Sequence, residues 1–173
     1  MSGVISGSYG LTKTGSGILI LSNTNSYVAT TISAGTLQVG NAGTTGTLGS
    51  GAVTNNAALV FNRSNTQVIS NDIAGTGTLT QSGSGITILG GNNTYTGATT
   101  VSAGTLQVNA SGRLGNGNYA GALSVADGSV FTWSSDQNQT FSNLASGTGT
   151  VNLNGASGLV TLTGDQSFNG TIN

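Results

Sequence analysis

Cysteine, proline, histidine and glutamate are absent from this 173-residue chain, and charged residues make up 4% of it. Without cysteine there is no disulfide framework, no thiolate nucleophile and no thiolate metal site. Without histidine the commonest general base and metal ligand is missing. Three cations, Lys13, Arg63 and Arg113, stand against Asp72, Asp127, Asp136 and Asp165, for a net charge of -1. No basic patch exists to neutralise phosphates, which excludes nucleic acid as a partner, and no polybasic segment exists for an anionic membrane. No run reaches the eighteen or so apolar residues of a membrane helix, so membrane insertion of this segment is not expected. The first residues, MSGVISGSYG, have neither the basic start nor the apolar run of a signal peptide, and Met1 reads as a start placed on a mature segment. A cysteine-free chain also suits export in an unfolded state.

What is present is a repeat. Gly75–Val108, GTGTLTQSGSGITILGGNNTYTGATTVSAGTLQV, matches Gly7–Val39, GSYGLTKTGSGILILSNTNSYVATTISAGTLQV. The offset is 68 from Gly7/Gly75 to Tyr27/Tyr95 and 69 from Ala34/Ala103 to Val39/Val108. A third, shorter copy begins at Gly147. Copies of about 7–74, 75–146 and 147–173 are read as one domain. Within each copy, alternating segments of four to seven residues are separated by Gly, Asn and Ser, the pattern of short strands and turns. Leu11, Leu37, Leu59, Leu79, Leu106, Val130 and Val151 mark successive segments at spacings of 26, 22, 20, 27, 24 and 21. Coils of that length imply an all-β fold, a parallel β-solenoid of about seven rungs, each ~4.8 Å from the next. The 30 glycines fit its corners. The absence of proline fits ladders in which interior strands need every amide donor. Leu37, Val39, Leu59, Leu106 and Val108 are expected inside, with Gln38 and Gln107 outside.

The copies resemble the autotransporter-associated β-strand repeat, also called the passenger-associated transport repeat. The first copy carries the pattern with Leu11, Lys13, Gly15, Gly17, Leu19, Leu21, Asn25, Tyr27, Thr31, Ile32, Gly35, Leu37 and Val39. The second carries it with Leu79, Gly83, Gly85, Leu89, Asn93, Tyr95, Gly97, Thr100, Val101, Gly104, Leu106 and Val108. The third is weaker, with Val151, Gly155, Gly158, Val160, Leu162, Gly164, Phe168 and Gly170. Gln81 stands where the family has Lys, Thr87 stands at an inward position where it has an apolar residue, and Val28-Ala29 lacks the family Gly. The resemblance implies a right-handed parallel β-helix in a secreted, cell-surface passenger of a Gram-negative bacterium, with repeats thought to aid export.

Chemistry is scarce. Asp127 and Asp136 are the one pair open to a glycan-cleaving reading, against which Asp127-Gly128 is an ordinary turn pair. No aspartate keeps its place between copies, and no cofactor or metal site is expected. Tyr27 and Tyr95 recur at one position, which points to packing at a corner, and Trp133 aligns with Phe61 as core filling. Thr12/Thr14, Thr78/Thr80 and Thr148/Thr150 recur once per long copy, too sparsely for an ice-binding array. Gly83-Ser84-Gly85 lacks the Lys and the helix of a phosphate loop.

The reading is therefore a non-catalytic structural or adhesive passenger segment. A self-assembling filament subunit is one alternative and a carbohydrate-binding or carbohydrate-cleaving β-helix another; a glycan or a host surface is a candidate partner. Residues 18–21, Ile-Leu-Ile-Leu, and 86–89, Ile-Thr-Ile-Leu, are apolar at alternate positions that should face outward. Ile18, Ile20, Ile86, Ile88 and Leu159 are thus the expected self-association face. A chain that starts and stops inside a repeat is also expected to stack head to tail as a homo-oligomer or filament.

Overall fold

A computed structural model describes residues 3–144, 146–153, 157–164 and 166–173. Every strand pairing among them is parallel, and one short 3-10 turn, Gly115–Gly117, is the sole helical element. Successive strands never pair with each other directly; each bonds to the strand one coil later, about 20 residues on. That is a β-solenoid, and its seven-stranded sheet counts about seven turns.

The coil has three sides. The second side is the seven-stranded sheet, running from Ile18–Leu21 to Ser146–Gly147. The third is a six-stranded sheet from Gln67–Ile69 to Thr171–Ile172. The first side is broken into shorter sheets: four strands from Leu11–Lys13 to Ile73–Ala74, then Asn92–Asn93 with Arg113–Leu114, then Asn118–Tyr119, Gln139–Phe141 and Val160–Leu162. On the third side the first two turns cross as irregular chain, and the ladder begins at Gln67.

Alternation decides what is inside. In Thr36–Val39, Leu37 and Val39 are fully buried while Thr36 and Gln38 are half-buried on the outer face. Leu59, Leu106 and Val108 are likewise buried completely. Gln107 lies on the outer face, half-buried, its Nε2 donating to Ser134 Oγ at 2.7 Å. Leu19, Leu37, Leu59 and Leu79 stack directly above one another on the second side. On the third side Leu106 stacks on Phe131 and Phe131 on Val151. At ~25 cal/mol per Å² of apolar surface, such continuous columns are the main source of stability.

The ladder also corrects the rung length. The registered column Leu19, Leu37, Leu59, Leu79, Thr99, Leu123 has steps of 18, 22, 20, 20 and 24 residues. The intervals of 26 and 27, Leu11 to Leu37 and Leu79 to Leu106, each contain a full turn plus one corner. Leu11 is on the first side and Leu37 on the second; Leu79 is on the second and Leu106 on the third. Val130 is half-buried on the outer face, and its neighbour Phe131 occupies the core position beside Leu106.

The same effect moves the whole repeat. Leu11, Thr30, Val53 and Ile73 occupy the first side on four consecutive turns, and the chain then reaches Leu79 on the second. Leu79, Thr99 and Leu123 follow on the second side, and Val151 comes on the third. Each copy is therefore three turns and one side long. Equivalent residues of successive copies sit one side further round.

Candidate functional site

The residues that recur between copies point inward and hold corners. Lys13 is nearly buried, and its Nζ donates to the carbonyls of Thr14, Gly15 and Ala34 at 2.8, 2.7 and 3.1 Å. In the second copy Gln81 stands in its place. Its Nε2 donates to Gly83 O at 2.7 Å and Gly85 O at 3.3 Å. Both side chains satisfy carbonyls that a Gly-Ser-Gly corner turns toward the interior, where an unpaired acceptor is costly. The shorter Gln leaves Oε1 as an acceptor, and Thr87 Oγ1 donates to it at 2.7 Å while accepting from Gln67 Nε2 at 2.8 Å.

Asn25 and Asn93 make one arrangement twice. Asn25 Nδ2 donates to Asn23 O within its own corner and to Thr47 O on the next turn, while Oδ1 accepts from the Ile5 amide of the preceding turn. Asn93 Nδ2 donates to Gly91 O and Arg113 O, and its Oδ1 accepts from the Ile73 amide. One amide thus ties three rungs, because a carboxamide presents donors and an acceptor in one plane.

Tyr27 and Tyr95, two residues further on, are buried. The Tyr95 ring meets Tyr119 edge to face at 5.7 Å, and Phe141 meets Tyr119, Phe131 and Trp133 in the same manner. Burial raises the Tyr119 hydroxyl to about 12 and pushes Tyr95 up as well, its second cause being the neighbouring Tyr119 hydroxyl. Trp133 is fully buried, and its Nε1 has no hydrogen-bond partner. Neither tyrosine of the repeat is a surface platform. The repeat pattern places Thr87 inward, and it is buried there; the inward polar residues Asn55, Gln67, Gln81 and Asn93 were not legible as core, because period-two alternation marks which face a residue takes, not whether a polar one finds partners there.

The outward residues do not converge. Ile18 and Ile20 lie on the second side, Ile86 and Ile88 on the third, and Leu159 precedes the first-side strand Val160–Leu162. The one-side rotation of the repeat separates them, so the expected single face is three separate places. Ile18 and Leu159 are the most exposed, at 67% and 68%. The threonine pairs separate in the same way, with Thr12 on the first side, Thr78 and Thr80 on the second and Thr150 on the third.

Asp127 and Asp136 are both exposed, one before and one after the strand Val130–Ser135. Six residues of strand separate them by roughly 20 Å, twice the ~9.5 Å upper spacing of a glycosidase carboxylate pair. Asp165, and Gly155 of the third copy, lie outside the described residues. Among the described residues no cavity opens, no group of three carboxylates could hold a metal, and no helix is long and apolar enough to cross a membrane.

A family model for the passenger-associated-transport-repeat matches residues 11–39 and 79–108. These two segments are the two full copies of the repeat read in the sequence. Among curated proteins, the Adhesin BmaC autotransporter of Brucella suis biovar 1 (strain 1330) is 46% identical over 85 residues. The match covers 49% of this chain and 2% of that protein, so the chain spans a small fraction of its relative's length. No solved structure matches the chain. Both comparisons thus point the same way, one to a passenger repeat and the other to an autotransporter. In structural terms each repeat is a set of corner fasteners: Lys13 or Gln81, Asn25 or Asn93, and Tyr27 or Tyr95 all bond inward, leaving the outer surface free to vary.

Proposed function

We propose that this chain is a non-catalytic structural and adhesive segment of a surface passenger, acting as one solenoid unit with copies at 7–74, 75–146 and 147–173. The observation that carries this reading is the direction of the recurring side chains. Lys13, Asn25, Asn93 and Gln81 all bond to backbone of their own or adjacent turns. The repeat thereby builds a rod and commits no recurring side chain to chemistry. The separation of Asp127 from Asp136 argues against paired carboxylate catalysis. The relative named as an adhesin supports an adhesive role. A contribution to export follows from the same construction: side-chain contacts between adjacent turns join residues some 20 to 27 apart, so a chain emerging in sequence can fold one rung upon the last.

The test immobilises the purified chain and measures retention of host cells or glycan-coated beads, with polysaccharide hydrolysis assayed in parallel. Retention without hydrolysis is expected. Hydrolysis lost in Asp127→Asn or Asp136→Asn would replace this reading with an enzymatic one.

A second reading, lateral self-association, is favoured by the exposure of Ile18 and Leu159. Because these residues lie on different sides, association would use more than one kind of contact. Light scattering on wild type and on Ile18→Lys tests it, and an unchanged monomer in both removes it.

A further inference from the structure

We infer that Asn116 is a site of spontaneous, backbone-assisted deamidation that converts it to aspartate or isoaspartate. The sequence holds three Asn-Gly pairs, Asn116-Gly117, Asn154-Gly155 and Asn169-Gly170. Asn154 and Gly155 lie outside the described residues. The other two differ in how the chain holds them. Asn169 sits in the stack: its amide donates to Gly147 O at 3.1 Å, the Thr171 amide donates to Gly149 O at 3.0 Å, and Gly170 is pressed so closely beneath Gly149 O that a methyl group would lie 2.2 Å from it. Asn116 lies in the Gly115–Gly117 turn, which leaves the ladder between Arg113–Leu114 and Asn118–Tyr119. Its side chain is exposed. One long contact reaches it, Asn92 Nδ2 to Asn116 Oδ1 at 3.5 Å.

The chemistry needs only water. The Gly117 amide nitrogen loses its proton to solvent base and attacks Asn116 Cγ. The Cγ–Nδ2 bond breaks, and the nitrogen leaves as ammonia after taking a proton. A five-membered succinimide remains. Water adds to either ring carbonyl, and opening gives aspartate or, with one extra carbon in the main chain, isoaspartate. Nothing is oxidised or reduced. The attack is intramolecular, so its rate is set by how freely the nitrogen reaches Cγ. Asn116 starts at φ 54 and ψ 37, and ψ must swing to bring the Gly117 nitrogen onto Cγ. No inter-rung ladder bond resists that swing; it opens the single bond that closes the turn, from the Asn118 amide to Gly115 O. The absence of a β-carbon on Gly117 leaves the nitrogen unshielded. At Asn169 the same motion breaks two inter-rung bonds. The product is a carboxylate beside Asn92, and replacement of one amide by one acid takes the net charge from -1 to -2.

The experiment incubates the intact protein in mildly alkaline buffer and follows each Asn-Gly pair by peptide mapping with enzymatic labelling of isoaspartate. Conversion at Asn116 is expected to run on the order of tenfold faster than at Asn169. Ion exchange should show an accumulating acidic species that is absent from Asn116→Gln, with far-UV circular dichroism unchanged throughout. An Asn116 that stays an amide, or converts no faster than Asn169, overturns the inference.

Discussion

The Tyr95 hydroxyl lies 2.6 Å from Thr99 Oγ1, and the first copy repeats the contact between Tyr27 and Thr30 at 3.0 Å. Thr99 Oγ1 also meets the Tyr119 hydroxyl at 2.7 Å, which in turn donates to Gly97 O at 2.6 Å. The three side chains form one buried polar chain across two turns. Thr99→Val keeps the shape and removes the central partner, taking a hydrogen bond from both the Tyr95 and the Tyr119 hydroxyls. A loss of about 1–3 kcal/mol is expected in denaturant unfolding. Thr100→Val, on the outer face one residue away, should change stability by less than ~0.5 kcal/mol.

The same tyrosines set a pH limit. Burial raises Tyr119 to about 12 from an ordinary 10.0 and raises Tyr95 too. Above pH 10 the unfolded chain releases protons that the folded chain retains, so stability present in full below pH 10 falls as pH climbs toward 12. Each such group contributes up to ~1.4 kcal/mol per pH unit over that window. Chemical denaturation at rising alkaline pH should show the fall, and Tyr119→Phe should make it shallower.

Gly104 has φ +60, and a β-carbon there would lie 2.4 Å from the carbonyls of both Gly83 and Gly85. Gly128 has φ +70 with nothing within 4 Å. Gly128→Ala should therefore cost only the left-handed backbone term, ~1–2 kcal/mol. Gly104→Ala should cost clearly more, since two backbone carbonyls of the preceding turn must move. Equal thermal midpoints for the two variants would show that conformation alone decides these positions.

Lys13→Met should destabilise by about 2 kcal/mol or more, leaving the carbonyls of Thr14, Gly15 and Ala34 without their donor. Lys13→Gln should recover most of that loss, because Gln81 already does the equivalent work at the second-copy corner. If Gln rescued no better than Met, charge and not hydrogen bonding would be what the corner requires.

Leu106→Asp places an unpaired carboxylate at a position with no solvent exposure and should cost several kcal/mol. Gln107→Asp, on the opposite face of the same strand, should lose only its bond to Ser134, about 1 kcal/mol, and melt far closer to wild type. The contrast checks the parity of the strand independently of any other turn.

The solenoid and the parity of its strands were legible in residues such as Leu37, Val39, Leu106 and Val108, where alternation alone assigns the core face. The corner role of Tyr27 and Tyr95 was legible from recurrence. The side on which a residue stands was not. Leu11 and Leu79 are equivalent by sequence, yet one is on the first side and the other on the second, because three turns use up 62 residues, Leu11 to Ile73, and the repeat is 68 long. Ile18 and Ile86 were grouped for the same reason, and the ladder parts them. The inward position of Thr87 was legible from the repeat pattern, but its partners Gln67 and Gln81 were hidden, because a polar residue at a core position declares itself only once its partners from other turns are in place.

A copy that ends one side out of phase is a screw thread. Three copies complete ten turns, roughly 48 Å at 4.8 Å per rung, before a given residue faces the same direction again. A flat receptor lying along a long array would meet one copy in three. A mutation fixed in every copy would be dealt evenly to all three sides, and no single flank of the rod would carry its whole effect.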